Sequence, residues 1–180
     1  MPPEDNPDAP GEGTPAELYV RKGAQSEKDG DSLNAAANFS LAAGCYDFTR
    51  WPQKSYEYQD KAASLIEIHL GAPGTPDFTK EKLTLNAAYM RLLACSSAAK
   101  AMARAMGRND ADAASHWQEN CRSQAELCKK HIITLRDTFH ADIRQLQKAF
   151  MGKGTDYPLS ALKGVFELDP LPTSTKRLKT

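Results

Sequence analysis

The feature that most constrains the fold is a central segment in which small and apolar residues recur every three or four positions along two lines. This spacing follows the period of an α-helix, and a helix with apolar residues on two sides packs against neighbours on both. The other apolar residues keep the same period, and no stretch shows a convincing strand pattern. The sequence therefore predicts an all-α, antiparallel bundle with this helix at its centre. The first line is Leu83, Ala87, Met90, Ala94, Ser97, Ala101 and Ala105, and the second is Leu85, Tyr89, Leu92, Ser96, Ala99, Ala103 and Met106.

Capping and breaking residues divide the chain into about five helices. Thr14 and Pro15 are typical of a helix start, and Gly30 is typical of a helix end. Pro52 separates the second helix from the third, because proline disfavours a helical conformation in the residue before it. The predicted helices cover 15 to about 28, 31 or 32 to about 50, 52 to about 70, 75 or 77 to 107, and 110 to about 150. The fifth would be about 60 Å long at 1.5 Å per residue.

The 180-residue chain suits one domain with a substantial core. We expect a helical domain over residues 15–150. It follows an acidic, proline-rich arm over 1–14, whose composition predicts disorder. A loop, a short helical turn and a basic tail are predicted over 151–180, and the tail carries Lys176, Arg177 and Lys179.

Charge and hydropathy argue against two classes of protein. The chain has 23 basic and 23 acidic residues, whereas a general nucleic-acid binder normally has a basic excess. No apolar run approaches the roughly 18 residues that predict a transmembrane helix. Because the N-terminus is also unlike a signal peptide, we expect a cytoplasmic protein whose four cysteines are reduced thiols.

The stretch EKDGDSLNAAANFSLAAGCYDFTRWPQKSYEYQDKAASLIE combines a turn glycine with spaced alanines and aromatics. It resembles the helical hairpins of tetratricopeptide repeats and of microtubule-interacting-and-trafficking domains, over residues 16–70. The resemblance implies a module that binds a peptide or helix and has no chemistry of its own. It also suggests partners in membrane trafficking or the cytoskeleton. The matching positions are Gly30, Ala36, Phe39, Ala43, Tyr46, Ala62 and Ala63, with Pro52 as the closing proline.

Candidate catalytic and metal-binding residues are few. Cys121, Cys128 and His131 lie on one side of the predicted fifth helix, but the chain lacks the C-x₂-C pair common in structural zinc sites. The two cysteines also fall in an apolar line, which favours burial. Cys45 lies within a predicted helix, away from the N-terminal position that lowers a thiol pKa. No phosphate-binding glycine motif occurs. We therefore predict no catalytic residues, no cofactor and no metal.

The aromatic residues between the second and third helices are the best interaction candidates. We predict that Tyr46, Arg50, Trp51, Tyr56 and Tyr58 bind a partner, because Tyr, Trp and Arg most often anchor interfaces. Phe48 belongs to the same aromatic run. The alternative is that these side chains form the core at the helix junction. Tyr56 and Tyr58 are separated by about 200° around a helix and cannot both face inward.

These observations predict a non-catalytic interaction module or adaptor that holds a helix or peptide in a groove between helices. One alternative is a homodimer through the 110–150 helix, with Trp117, Phe139 and Phe150 at the interface. A further alternative is an enzyme that uses Cys45 or the side of helix five that carries Cys121, Cys128 and His131.

Overall fold

The computed structural model describes residues 13–151 and 164–168, and the described residues form six α-helices without strands. The prediction of an all-α helical bundle is confirmed. The basic tail, the first twelve residues of the predicted arm and most of the predicted short helical turn lie outside the described residues. The helices are α1 (Pro15–Lys28), α2 (Ser32–Phe48), α3 (Pro52–Leu70), α4 (Asp77–Gly107), α5 (Ala111–Phe139) and α6 (Ile143–Met151).

Short polar side chains start three of these helices at the predicted places. The Thr14 hydroxyl accepts a hydrogen bond from the backbone N–H of Glu17 at 3.5 Å. Asp31 caps α2 and Asp110 caps α5 in the same way, each accepting a backbone N–H at 3.0 Å. Such caps satisfy N–H groups that have no partner within the helix.

The predicted continuous helix from 110 to about 150 is wrong, because α5 ends at Phe139. His140 takes a left-handed conformation, with φ of 59°. The Asp142 carboxylate then accepts the backbone N–H groups of Arg144 and Gln145, at 2.9 and 3.3 Å, and so caps α6. The apolar pattern runs across this break because Ile143, Leu146 and Phe150 of α6 pack against the same core as α5.

Extensive contacts join each helix to the next in the chain, from α1 on α2 through to α4 on α5. Helix α4 therefore lies between α3 and α5, as its two apolar lines predict. All seven residues of the first line are buried. The second line is buried at Leu92, Ser96 and Ala99, while Ala103 and Met106 near the end of the helix are exposed.

Small residues allow the helices to approach closely. Gly23 of α1 lies against the buried ring of Phe39 on α2, and a β-carbon on Gly23 would come 2.8 Å from the nearest ring carbon. Alanines fill the other helix contacts, and they stabilise helices while adding little bulk. The fully buried ones include Ala35, Ala42, Ala62, Ala63, Ala87, Ala88 and Ala98.

Candidate interaction surface

The turn between α2 and α3 is fixed by hydrogen bonds at the end of α2. The backbone N–H of Trp51 donates to the Tyr46 carbonyl at 2.8 Å, and that of Arg50 donates to the Asp47 carbonyl at 3.0 Å. This is the Schellman pattern, in which the residue after the cap takes a left-handed conformation and is usually glycine. Here that residue is Arg50, with φ of 60°. The turn thus holds an arginine where a glycine would be less strained.

Tyr46 lies in the core below this turn and is 1 % exposed. Its hydroxyl donates to the Glu17 carboxylate at 2.7 Å. Its ring stacks on that of Tyr58, with 5.6 Å between the ring centroids, and meets the Trp51 ring edge-on, with 6.0 Å between the centroids. Burial and the bond to Glu17 both raise the pKa of the Tyr46 hydroxyl. Tyr46 therefore holds α1, α2 and α3 together and has no free face for a partner.

The other two predicted tyrosines lie on different sides of α3. Tyr58 stacks between Tyr46 and Phe39, while Tyr56 packs edge-on against Trp117 of α5 at 5.3 Å. The Tyr56 hydroxyl also accepts a hydrogen bond from Gln124 at 3.3 Å. Both tyrosines are half-buried in contacts between helices. Of the five predicted residues, Tyr46 is buried and Arg50 is exposed, while the remaining three are partly exposed: Trp51, Tyr56 and Tyr58.

A cleft of about 360 Å³ opens beside this turn, between the α2–α3 junction and α4. Phe48 lines it, and this residue is 89 % exposed. Lys100 pairs with Asp47 at 2.7 Å, whereas Arg50 and Arg104 have no carboxylate partner among the described residues. The cleft therefore combines an exposed aromatic ring with an excess of positive charge. Its lining is Asp47, Phe48, Arg50, Pro52, Lys100 and Arg104.

Sequence reasoning missed Lys100 and Arg104. The available signal was their spacing, because two cations four residues apart lie on one side of a helix. They stand out in the segment KAMAR, whose other residues are small or apolar. Their relation to the α2–α3 turn depends on how α4 packs across α3, which spacing alone does not give.

A second polar cluster joins α3, α4 and α5 around Arg91, which is 3 % exposed. Its guanidinium donates two hydrogen bonds to Glu67, at 2.8 and 2.6 Å, and also bonds to Asp60. Gln124 of α5 accepts from Arg91 at 3.0 Å and donates to Asp60 at 2.8 Å. Because every charged group here has a partner within the protein, we interpret the cluster as structural.

The hydrogen bonds of this cluster shift the pKa of the Glu67 carboxyl group. Burial alone would raise its pKa, but hydrogen bonds from His131 and Arg91 outweigh that effect and lower the pKa to about 2. His131 thus pairs with Glu67 at 2.8 Å, while Cys128 donates to the carbonyl of Ala88 at 3.3 Å.

Comparisons with protein-family models, with curated proteins and with solved structures find no significant match to this chain. The resemblance to tetratricopeptide and microtubule-interacting hairpins therefore stays a prediction. No helix in the described part of the chain is both long enough and apolar enough to cross a lipid bilayer.

Proposed function

We propose that this protein is a non-catalytic interaction module that binds an acidic peptide or helix in the cleft between the α2–α3 turn and α4. The observation that carries the proposal is the exposed ring of Phe48 beside Arg50 and Arg104. Single exposed apolar side chains are common on protein surfaces. An exposed aromatic next to two unpaired arginines is more specific, because aromatics and arginine are enriched at interface hot spots.

The chemistry of the cleft defines the partner. Carboxylates on the partner would pair with the guanidinium groups of Arg50 and Arg104, because guanidinium groups form bidentate hydrogen bonds with carboxylates. An apolar side chain on the same segment would cover Phe48 and remove its ring from water. A segment that alternates acidic and apolar residues meets both requirements.

The backbone at Arg50 supports a role for its side chain. A left-handed conformation costs a residue with a β-carbon roughly 1–2 kcal/mol, and glycine avoids that cost. Strained residues of this kind cluster at binding sites, where the side chain has a use. A charged side chain at the edge of the cleft is such a use.

A matched pair of labelled peptides tests the proposal. One carries glutamates on one helical face and leucines on the other, and the second has lysine in place of every glutamate. Fluorescence anisotropy should detect binding of the acidic peptide, with affinity that falls as salt rises. Phe48→Ala and Arg104→Ala should each weaken it about tenfold, a loss of about 1.4 kcal/mol.

Phe78→Ala is the control, because Phe78 is also exposed and has a lysine over its ring. It lies 22 residues before Lys100 on α4, about 33 Å away along the helix. Equal binding of the two peptides would contradict the proposal. An effect of Phe78→Ala as large as that of Phe48→Ala would also contradict it.

We further propose a cytoplasmic location, with partners in trafficking or the cytoskeleton. The free cysteines favour a reducing compartment, since close thiols tend to be oxidised outside the cell. The trafficking or cytoskeletal role rests only on the resemblance of residues 16–70.

A further inference from the structure

Two buried cysteines on neighbouring helices lie within reach of each other. The sulfur of Cys95 on α4 is 3.3 Å from the sulfur of Cys121 on α5. A disulfide bond is about 2.05 Å long, so the two atoms would need to approach by about 1.3 Å. The short distance between the two sulfurs makes this pair a candidate for a disulfide.

The other two cysteines are in different situations and provide internal comparisons. Cys128 is fully buried and its thiol donates to a backbone carbonyl on α4. Cys45 is a free, partly exposed thiol on α2. Burial alone therefore does not bring thiols together in this protein, and Cys95 and Cys121 are the pair in contact among the described cysteines.

A cleft gives small molecules access to one member of the pair. It has a volume of about 480 Å³ and lies between α4, α5 and the segment at Gly164 and Val165. Cys121 lines it and is 7 % exposed, whereas Cys95 is completely buried behind it. Ala99, Met102 and Ala125 form apolar parts of the same wall. Of the two sulfurs, that of Cys121 therefore belongs to the residue that lines the cleft.

We propose that Cys95 and Cys121 are a redox-active dithiol that hydrogen peroxide oxidises to a disulfide between α4 and α5. The Cys121 thiolate attacks one peroxide oxygen, the O–O bond breaks, and the departing oxygen leaves as water after taking up a proton. Cys121 is then a sulfenic acid. The sulfur of Cys95 attacks the sulfur of Cys121, the S–O bond breaks, and hydroxide leaves with the Cys95 proton as a second water. The two thiols lose two electrons and the peroxide gains them.

The electrostatics of the pair agree with this assignment of roles. The hydrogen bond between the two sulfurs raises the pKa of Cys95, and burial raises it further. The same bond lowers the pKa of Cys121, against the effect of burial. Cys121 is therefore the better thiolate as well as the more accessible one, and thiolates are the reactive form.

The test uses the full chain carrying Cys45→Ser, which removes the exposed thiol and prevents cross-linking through it. Treatment with hydrogen peroxide should lower the intact mass by about 2 Da, the loss of two hydrogens. The number of titratable thiols per unfolded molecule should fall by two. A digest without reductant should contain one peptide pair joined through Cys95 and Cys121, and dithiothreitol should separate it.

Two further variants assign the roles and control for core damage. The Cys128→Ala variant should still form the disulfide between Cys95 and Cys121. Cys95→Ala should stop at the sulfenic acid of Cys121, which a dimedone reagent traps. A mass gain without the loss of two hydrogens in the Cys45→Ser protein would overturn the proposal. So would a disulfide from Cys121 to Cys128, and so would peroxide resistance of the native protein. These outcomes are independent of peptide binding at the Phe48 cleft.

Discussion

At the scale of single residues, Arg50 is expected to lower the stability of the fold through its left-handed backbone and to strengthen peptide binding through its side chain. We expect Arg50→Gly to raise the free energy of unfolding by about 1 kcal/mol, because glycine takes this conformation without strain. The same change should weaken binding of the acidic peptide, because it removes one of the two unpaired arginines. Urea denaturation and anisotropy on the same protein samples measure both effects.

His140→Gly is the matched control for Arg50. His140 has nearly the same φ, at 59°, and does not line the Phe48 cleft. The His140→Gly substitution should also stabilise the protein, and it should leave the affinity for the acidic peptide unchanged. A variant at Arg50 that gains stability and keeps full affinity would show that the side chain has no binding role.

The surroundings of Gly23 and Gly44 predict that a glycine-to-alanine substitution has opposite effects on stability at the two positions. Gly44 has open space around it within α2, so Gly44→Ala should stabilise the protein by about 0.5–1 kcal/mol through helix propensity. Gly23→Ala places a methyl group against the buried Phe39 ring and should destabilise by about 1–3 kcal/mol. Thermal unfolding of the two variants checks the signs. A stabilising Gly23→Ala would mean that α1 shifts freely on α2.

At the scale of helices, the Arg91 cluster ties α3, α4 and α5 together, and its contribution depends on pH. The folded-state pKa of Glu67 is about 2, below its ordinary value of 4.5. A lowered pKa stabilises the fold above the ordinary value, and this contribution is lost as the pH falls from about 4.5 to about 2. We expect it to be about 2 kcal/mol, reduced from the full value because the Glu67 side chain is 27 % exposed.

Glu67→Gln measures this contribution. The variant should be less stable than the native protein near pH 6, and the difference should shrink as the pH approaches 2. Chemical denaturation at several pH values gives the comparison. Glu119→Gln is the control, since Glu119 pairs with Arg122 on an exposed surface and such pairs contribute little. A difference for Glu67→Gln that does not change with pH would contradict the ionic account.

Sequence patterns predict the helices of this protein better than its polar contacts. The two apolar lines of α4 predict its central place, because a helix that is buried on two sides carries apolar residues at helical spacing along both of them. The end of α5 is missed because the apolar period continues into α6, while the break depends on the backbone at His140 and the cap at Asp142. Arg91 and Lys100 occupy α4 without local partners, so their roles depend on side chains more than 20 residues away. Which residues of the aromatic cluster at the α2–α3 junction lie in the core and which lie at the surface also depends on side chains that are distant in the sequence.

At the scale of the whole molecule, we expect a monomer. Buried residues of the α5 apolar line, including Cys121, Cys128, Ile132 and Leu135, already pack in the core cluster shared with α4. That line is therefore not available for a coiled-coil partner. Light scattering at high micromolar concentration should give a mass near 19.7 kDa. A stable mass of twice that value would restore the homodimer alternative.

The order of the helix contacts also bears on how the chain folds. Since each helix packs mainly on the next one, most tertiary contacts join segments that are near each other in sequence. Low contact order of this kind speeds folding, because little chain entropy is lost before the first contacts form. In linear arrays, structure can begin at one hairpin and spread to its neighbours. Helix α4 has the most extensive contacts with its neighbours and would then be the last to open in native-state fluctuations, whereas the helices at the two ends of the array, α1 and α6, would open first.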